Sequence, residues 1–257
     1  MDPLKQFRLD GRVALITGAS SGIGASLAEG FAAVGARVAL AARRTDRTKA
    51  LAAKIATSGG EAFSVSLDVT STESIKRAFD EVERALGVPT ILVNNAGVAE
   101  AKSFLKTTRE SLNRTMDTNF FGAWEMGQEA ARRMVASKKG GSVINVASVL
   151  GMSTAVGYSS YSASKGALIQ LTRGMALEFV KYGIRVNALA PGWFVSEMNQ
   201  EFFASDAGKA YATRIPPGRT GEMPELIGPV LLLASDAGSY INGTVLSVDG
   251  GHHAALV

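Results

Sequence analysis

The sequence contains no cysteine. Disulfides, thiolate catalysis and cysteine-ligated metal centres are therefore excluded. Histidine is nearly as scarce, because the only two, His252 and His253, are adjacent and close to the end of the chain. A histidine triad or a two-histidine helical metal site has no candidates, so no metal site is expected. No apolar stretch approaches the roughly 18–20 uncharged residues of a membrane span. The opening "MDPLKQFRLDGR" lacks the apolar core of a signal peptide. Charge of one sign is also in short supply. The 27 Lys and Arg against 23 Asp and Glu leave a net +4, and the basic residues are scattered apart from the doublets Arg43-Arg44 and Lys138-Lys139. No long basic block points to nucleic acid. The expectation is a soluble cytoplasmic protein with neither a membrane nor a nucleic-acid partner.

Apolar residues are abundant, at 46% of 257 residues with 19% charged, so a large core can be buried. Short β-branched runs alternate with helical patterns. "RVALITG", "ARVALAA", "EAFSVSLDV", "TILVNNAG", "GSVINVAS", "GIRVNALAPG" and "GTVLSVDGG" read as seven strands, each nearly all apolar. Strands separated by helices of this length imply βαβ units. A parallel sheet covered by helices on both faces follows, with each strand buried on both sides. One helical region is expected over 109–137. There is no low-complexity segment, repeat or linker, which favours a single domain over 1–257. The one long irregular stretch, 191–219, has the length of a functional flap.

"TGASSGIG" places Gly18, Gly22 and Gly24 between the first strand and its helix, with Ser20, Ser21 and Ile23 among them. A tight turn there needs positive φ, and bare backbone lets a dinucleotide pyrophosphate approach the helix N-terminus. The second strand ends in "AARR". The acidic residue that would grip a ribose 2′-hydroxyl is replaced by Ala42, followed by Arg43 and Arg44. A guanidinium binds a 2′-phosphate where a carboxylate repels it. NADP(H) is thus the expected cofactor in preference to NAD(H), with solvated strand-end arginines as the competing reading. Asp68 and Val69 close the third strand, where Asp68 either accepts from an adenine amino group or caps the next helix. Asn95, Ala96 and Gly97 follow the fourth strand, where the asparagine amides can brace its end and Gly97 admits a ribose.

The fifth strand leads to Ser148, and thirteen residues later come Tyr161 and then Lys165, one helical turn apart. Taken in order, "TGASSGIG", "NNAG", "NVAS", "YSASK" and "APGW" resemble the short-chain dehydrogenase/reductase family, in its compact single-domain branch. The resemblance implies a Rossmann-type, doubly wound α/β fold. It implies a catalytic group of Asn119, Ser148, Tyr161 and Lys165, with Tyr161 as acid in ketone reduction and base in alcohol oxidation. It implies that Ser148 bonds the substrate oxygen. Lys165 would hold the nicotinamide ribose and lower the Tyr161 pKa, and Tyr161 and Lys165 both contact the cofactor. Asn119 would support a water-linked proton path to the lysine, although an amide bracing a helix is the alternative. Pro191 and Gly192 resemble the turn beside the nicotinamide.

Tyr158 is a rival to Tyr161 for the acid role and a candidate substrate contact. Trp193, Phe194 and Met198 would line the substrate from the flap, and Ser196 could meet the cofactor amide. The reaction class implied is interconversion of a ketone or aldehyde with a secondary alcohol. A 3-oxoacyl thioester reductase and a sugar or polyol dehydrogenase remain open within it, and a non-catalytic dinucleotide sensor is the remote alternative. The family also implies a homotetramer, with the long helices, the last strand and the "HHAALV" tail as candidate interfaces.

Overall fold

A computed structural model describes residues 2–197 and 199–255. Its frame follows from apolar periodicity. β1 (Val13–Thr17) shows the rule, with Val13 and Leu15 facing one core and Ala14 and Ile16 the other. Such period-two burial on both faces is what a central parallel strand requires. β2 (Arg37–Ala42), β4 (Ile91–Asn94), β5 (Gly141–Val146) and β6 (Ile184–Pro191) are buried in the same way. β3 (Glu61–Ser66) and β7 (Val245–Val248) are edge strands and depart from the expectation of strands buried on both sides. In β3 only Val65 is fully buried, and Arg37 and Glu61 form a two-point ion pair across its edge at 2.8 and 2.9 Å.

The sheet order is β3-β2-β1-β4-β5-β6-β7 and every pairing is parallel. The chain therefore winds outward in both directions from β1 and β4. Their C-terminal ends open a crevice, since the following helices leave on opposite faces. On one face pack α1 (Gly22–Ala33), α2 (Thr45–Thr57) and α9 (Ile227–Ala234). On the other pack α3 (Thr72–Leu86), α5 (Gly122–Ser137) and α6 (Ser159–Phe179).

α3 illustrates how the sequence fixes such a helix. Ile75, Ala78, Phe79, Val82 and Leu86 recur at three- and four-residue spacing and all are buried. The Ser71 hydroxyl caps its start by accepting from the Ser74 amide at 3.2 Å. Gly87, at φ +92°, ends it. Truncating Phe79 to alanine would cost about 3–5 kcal/mol.

Two departures bear on the site. The region expected to be one helix over 109–137 is α4 (Arg109–Met116) and α5 joined by a π-helical turn, Asp117–Phe121. The stretch 191–219 is not structureless, because it carries α7 (Gln200–Ala204) and α8 (Asp206–Ala212). No helix among the described residues is long and apolar enough to cross a membrane.

Candidate active site

The rim formed by the strand ends gathers most of the expected residues. At the end of β1, Thr17 ties the first turn to the fourth strand. Its hydroxyl accepts from the Asn95 and Ala96 amides, both at 2.9 Å, and donates to the Val93 carbonyl at 3.3 Å. The Asn95 side chain donates to the Thr17 and Gly18 carbonyls at 2.9 and 3.3 Å. Asn95 is thus a staple of the glycine turn, and the Ala96 backbone is locked beside it.

Gly18 and Gly22 have φ of +66° and +56°, so side chains there would be strained. Gly24 serves packing, since a Cβ on it would lie 2.5 Å from the Gly18 carbonyl oxygen. Ser21 is the N-cap of α1 but makes no side-chain capping bond. The first-turn amides, at the partly exposed Ile23 for example, therefore face the crevice with the helix dipole behind them. Bare glycine backbone and an uncapped N-terminus of a 12-residue helix fit a dinucleotide pyrophosphate.

Arg43 and Arg44 are both exposed, and they diverge. Arg43 lies near Asp68 and its charge helps to hold that carboxyl below its ordinary range, after the bonds from the Thr70 amide and hydroxyl. Those bonds, at 3.0 and 2.8 Å, engage Oδ1 of Asp68 in a local turn. Asp68 is not the cap of the next helix, which is Ser71. Val69 packs against Gly122, where a Cβ would stand 2.8 Å from the Val69 carbonyl oxygen. Arg44 reaches over the glycine turn. It donates to the Ser20 hydroxyl at 3.0 and 3.2 Å and to the Ser21 hydroxyl at 2.9 Å. Arg44, rather than Arg43, sits at the phosphate-facing turn.

The candidate catalytic group meets at the ends of β4, β5 and the start of α6. Ser148 is buried and caps a 3-10 turn, accepting from the Leu150 amide at 3.1 Å. Lys165 is 4% exposed and donates to the Val146 carbonyl at 2.7 Å. It has no ion-pair partner among the described residues. Burial brings its pKa down from 10.5 to about 8. Its Nζ lies 5.7 Å from the centre of the Tyr161 ring.

Burial raises the Tyr161 pKa, hydrogen bonding with the Ser148 side chain pulls it down, and Tyr158 pushes it up again. The hydrogen bond with Ser148 favours the phenolate. Tyr158 has no such donor. Burial and the nearby Tyr211 both raise its pKa. Its ring lies 6.3 Å from that of Tyr161, beside the candidate acid.

Asn119 lies in the π-helical turn and is buried. Its amide oxygen accepts from the Val98 amide at 2.8 Å, and its nitrogen donates to the Val98 carbonyl at 2.9 Å and to Ser164 Oγ at 3.0 Å. This is the bracing arrangement, and it holds the loop after β4. Lys165 and Asn119 both face Gly97. A Cβ there would lie 3.2 Å from Asn119 Oδ1 and 3.6 Å from Lys165 Nζ. Gly97 thus keeps open the space above the lysine. The sequence reading missed Ser164, whose hydroxyl also donates to the Tyr161 carbonyl at 2.7 Å. Its place inside "YSASK" was the available signal.

The flap begins where β6 ends at Pro191. The Gly192 amide donates to the Val248 carbonyl at 2.9 Å, pinning the turn to β7. Trp193 meets Tyr158, Phe203 and Tyr211 edge-on, with ring centres 6.2, 5.6 and 5.7 Å away. Its indole N–H donates to the Tyr211 hydroxyl at 3.2 Å. Tyr161, Tyr158, Trp193 and Tyr211 form one aromatic wall leading outward. Phe194 does not belong to it. It is 5% exposed, packs in the core on the α1 face and bridges to Gly221, so its expected role as a substrate contact is withdrawn. Its neighbours alternate along an extended segment, which turns Phe194 inward where Trp193 turns out. Ser196 lies over Gly22 of the glycine turn, with its amide bonded to Asn199 Oδ1 at 2.8 Å. Met198 lies outside the described residues.

Known proteins share this architecture. The family described as enoyl-(acyl carrier protein) reductase matches residues 18–253. Gluconate 5-dehydrogenase of Gluconobacter oxydans (strain 621H) is 36% identical over 246 residues, which is 95% of this chain and 96% of that protein. A 3-oxoacyl-(acyl-carrier-protein) reductase of Aquifex aeolicus (strain VF5) is 35% identical over 96% of this chain and 99% of its own. The crystal structure of a gluconate 5-dehydrogenase from Burkholderia cenocepacia J2315, in complex with NADP and tartrate, superposes with a TM-score of 0.94. It is 37% identical, covering 98% of this chain and 99% of that one.

Proposed function

Because the chain belongs to the short-chain dehydrogenase/reductase family of oxidoreductases, we propose that it interconverts a ketone and a secondary alcohol with NADP(H) as cofactor. The observation that carries this reading is the Ser148–Tyr161–Lys165 cluster at the strand rim, beside a glycine turn fit for a dinucleotide. When bound, the nicotinamide would supply or accept the hydride. The chain's own residues handle the proton and the carbonyl oxygen. Ser148 donates to that oxygen, where negative charge develops. Tyr161 delivers the proton in reduction, and its raised pKa keeps it protonated and ready at neutral pH. Lys165, with a pKa of about 8, is mostly cationic at pH 7 and can give up its proton just above, which suits a relay behind the phenol. Asn119 holds the Val98 loop that borders this space.

NADP(H) over NAD(H) is supported by Arg44 at the Ser20 and Ser21 hydroxyls, with no carboxylate at Ala42. The NADP bound in the Burkholderia enzyme supports it further. A sugar acid or polyol is the first substrate class, on the strength of the gluconate dehydrogenases among the relatives. The aromatic wall can stack against the C–H faces of a carbon chain while its hydroxyls bond to the polyol. A 3-oxoacyl thioester is the second, supported by the Aquifex relative.

The test is a panel of keto-sugar acids, ketoses, 3-oxoacyl and enoyl thioesters and alicyclic ketones, followed by NADPH absorbance with NADH in parallel. Turnover of ketones that vanishes in Tyr161→Phe supports the reading. Reduction of enoyl thioesters alone overturns it. A homotetrameric, cytoplasmic enzyme completes the proposal. Exposed Phe121 at the end of the π-helical turn, Trp124 on α5 and Leu177 near the end of α6 supply apolar faces for assembly, checked by sedimentation.

A further inference from the structure

Glu197 has no part in the chemistry above, yet it sits at the phosphate-facing turn. Its Oε2 accepts from Arg44 Nη1 at 3.0 Å, and its Oε1 is paired with Arg47. Arg44 meanwhile holds the Ser20 and Ser21 hydroxyls. Two guanidinium groups thus converge on one carboxylate from the flap, and one of them, Arg44, also holds the two serine hydroxyls. The preceding residue, Ser196, lies within 3.5 Å of where a Cβ on Gly22 would stand, so the segment crosses directly over the glycine turn. Both arginines hold Glu197 below the ordinary carboxylate range, and it is an anion at neutral pH.

Guanidinium forks grip carboxylates and phosphates by the same two-point geometry. A 2′-phosphate on the adenosine ribose needs this same set of donors. It carries more charge than a carboxylate, close to −2 at neutral pH. We propose that Glu197 is a cofactor-specificity residue that competes with the 2′-phosphate for Arg44 and Arg47. Binding of a 2′-phosphorylated dinucleotide exchanges the flap carboxylate for the phosphate and breaks the ion pairs between flap and α2. A dinucleotide without that phosphate leaves Glu197 on its arginines. The flap contact is thus sensitive to which cofactor is bound. This inference rests on the NADP(H) reading.

The exchange has a modest free-energy effect, because all three side chains are close to half exposed, at 43–48%. Exposed pairs of this kind correspond to shifts of about 2- to 5-fold in affinity. The experiment measures binding, not turnover, with adenosine 2′,5′-bisphosphate and AMP as probes, by calorimetry at low and high salt. Glu197→Gln is expected to tighten the bisphosphate about 2- to 5-fold, with the gain shrinking in high salt, and to leave AMP unchanged. A second readout uses Trp193, which becomes the only tryptophan in a Trp124→Phe background. The bisphosphate, but not AMP, should change its emission, and Glu197→Gln should remove that response. Glu197→Gln that weakens the bisphosphate or leaves it unchanged overturns the inference, provided that Arg44→Ala still weakens it. If Arg44→Ala leaves bisphosphate affinity untouched, the NADP(H) reading itself fails.

Discussion

The two polar clusters along the rim are built in opposite ways. Around Tyr161 the functional groups are anchored to main chain at or just beyond the strand ends: Lys165 on the Val146 carbonyl, Asn119 on both polar atoms of Val98, Ser148 on the Leu150 amide. Around Arg44 they are anchored to one another, with Glu197, Arg47, Ser20 and Ser21 as half-solvated partners. The first cluster is preorganised, buried and poorly screened by salt. The second can exchange one anion for another. Chemistry demands fixed positions to a fraction of an ångström, whereas recognition of a charged group tolerates rearrangement. One fold supplies both by placing the first on strand ends and the second between a helix and a flap.

The largest break in this comparison is expected at the phenol. Tyr161→Phe should lower kcat by about 10²–10⁴-fold, the usual worth of a positioned proton donor. NADPH affinity, measured by titration of its fluorescence, should hardly change. Tyr158→Phe should reduce kcat less than tenfold. If the two variants exchange these effects, Tyr158 is the acid.

Much of the fixed cluster was legible beforehand because strand ends and helix starts are set by local pattern. Apolar runs located all seven strands, and a glycine triplet at a strand-to-helix junction located the turn. Contacts between distant side chains were not legible. Nothing in "VSEMNQ" signals that Glu197 meets Arg44, which is 153 positions earlier in the chain. Phe194 looked like a flap aromatic until the alternation of an extended segment turned it into the core. The same limit made Arg43 and Arg44 equivalent in the sequence. Lys165 could be placed beside Tyr161 from helical spacing, but spacing did not reveal the Val146 carbonyl that holds its ammonium.

A smaller but still large effect should appear in the pH dependence of stability. Folding lowers the Lys165 pKa from 10.5 to about 8. Between those values the unfolded chain holds more protons than the folded one, so this residue makes stability rise with pH. Across the whole window the contribution is about 3–4 kcal/mol at 1.4 kcal/mol per unit. The raised pKa of Tyr161 acts in the reverse sense only above pH 10. Urea midpoints from pH 8 to 10 should therefore climb more steeply for the native sequence than for Lys165→Met. Parallel curves would mean that the buried ammonium is not isolated as described. Asn119→Ala should be smaller again, at about 2 kcal/mol, since it strands the Val98 amide and carbonyl together. Unchanged urea stability would show that water replaces the lost bonds and that the brace is dispensable.

Effects on cofactor affinity separate the two arginines. Arg44 bonds both serines of the turn, so Arg44→Ala should weaken NADPH about 10- to 100-fold through lost charge-assisted bonds. Arg43 faces Asp68 at the adenine end, and Arg43→Ala should weaken NADPH and NADH by the same factor, no more than about threefold. Raising ionic strength should erase most of the Arg43 effect, since Arg43 is exposed to screening ions and Asp68 is only half-buried. A loss at Arg43→Ala that is confined to NADPH and equals that of Arg44→Ala would move the phosphate contact onto the adenine side of the strand. The exchange of anions at Arg44 would then have no role in choosing the cofactor.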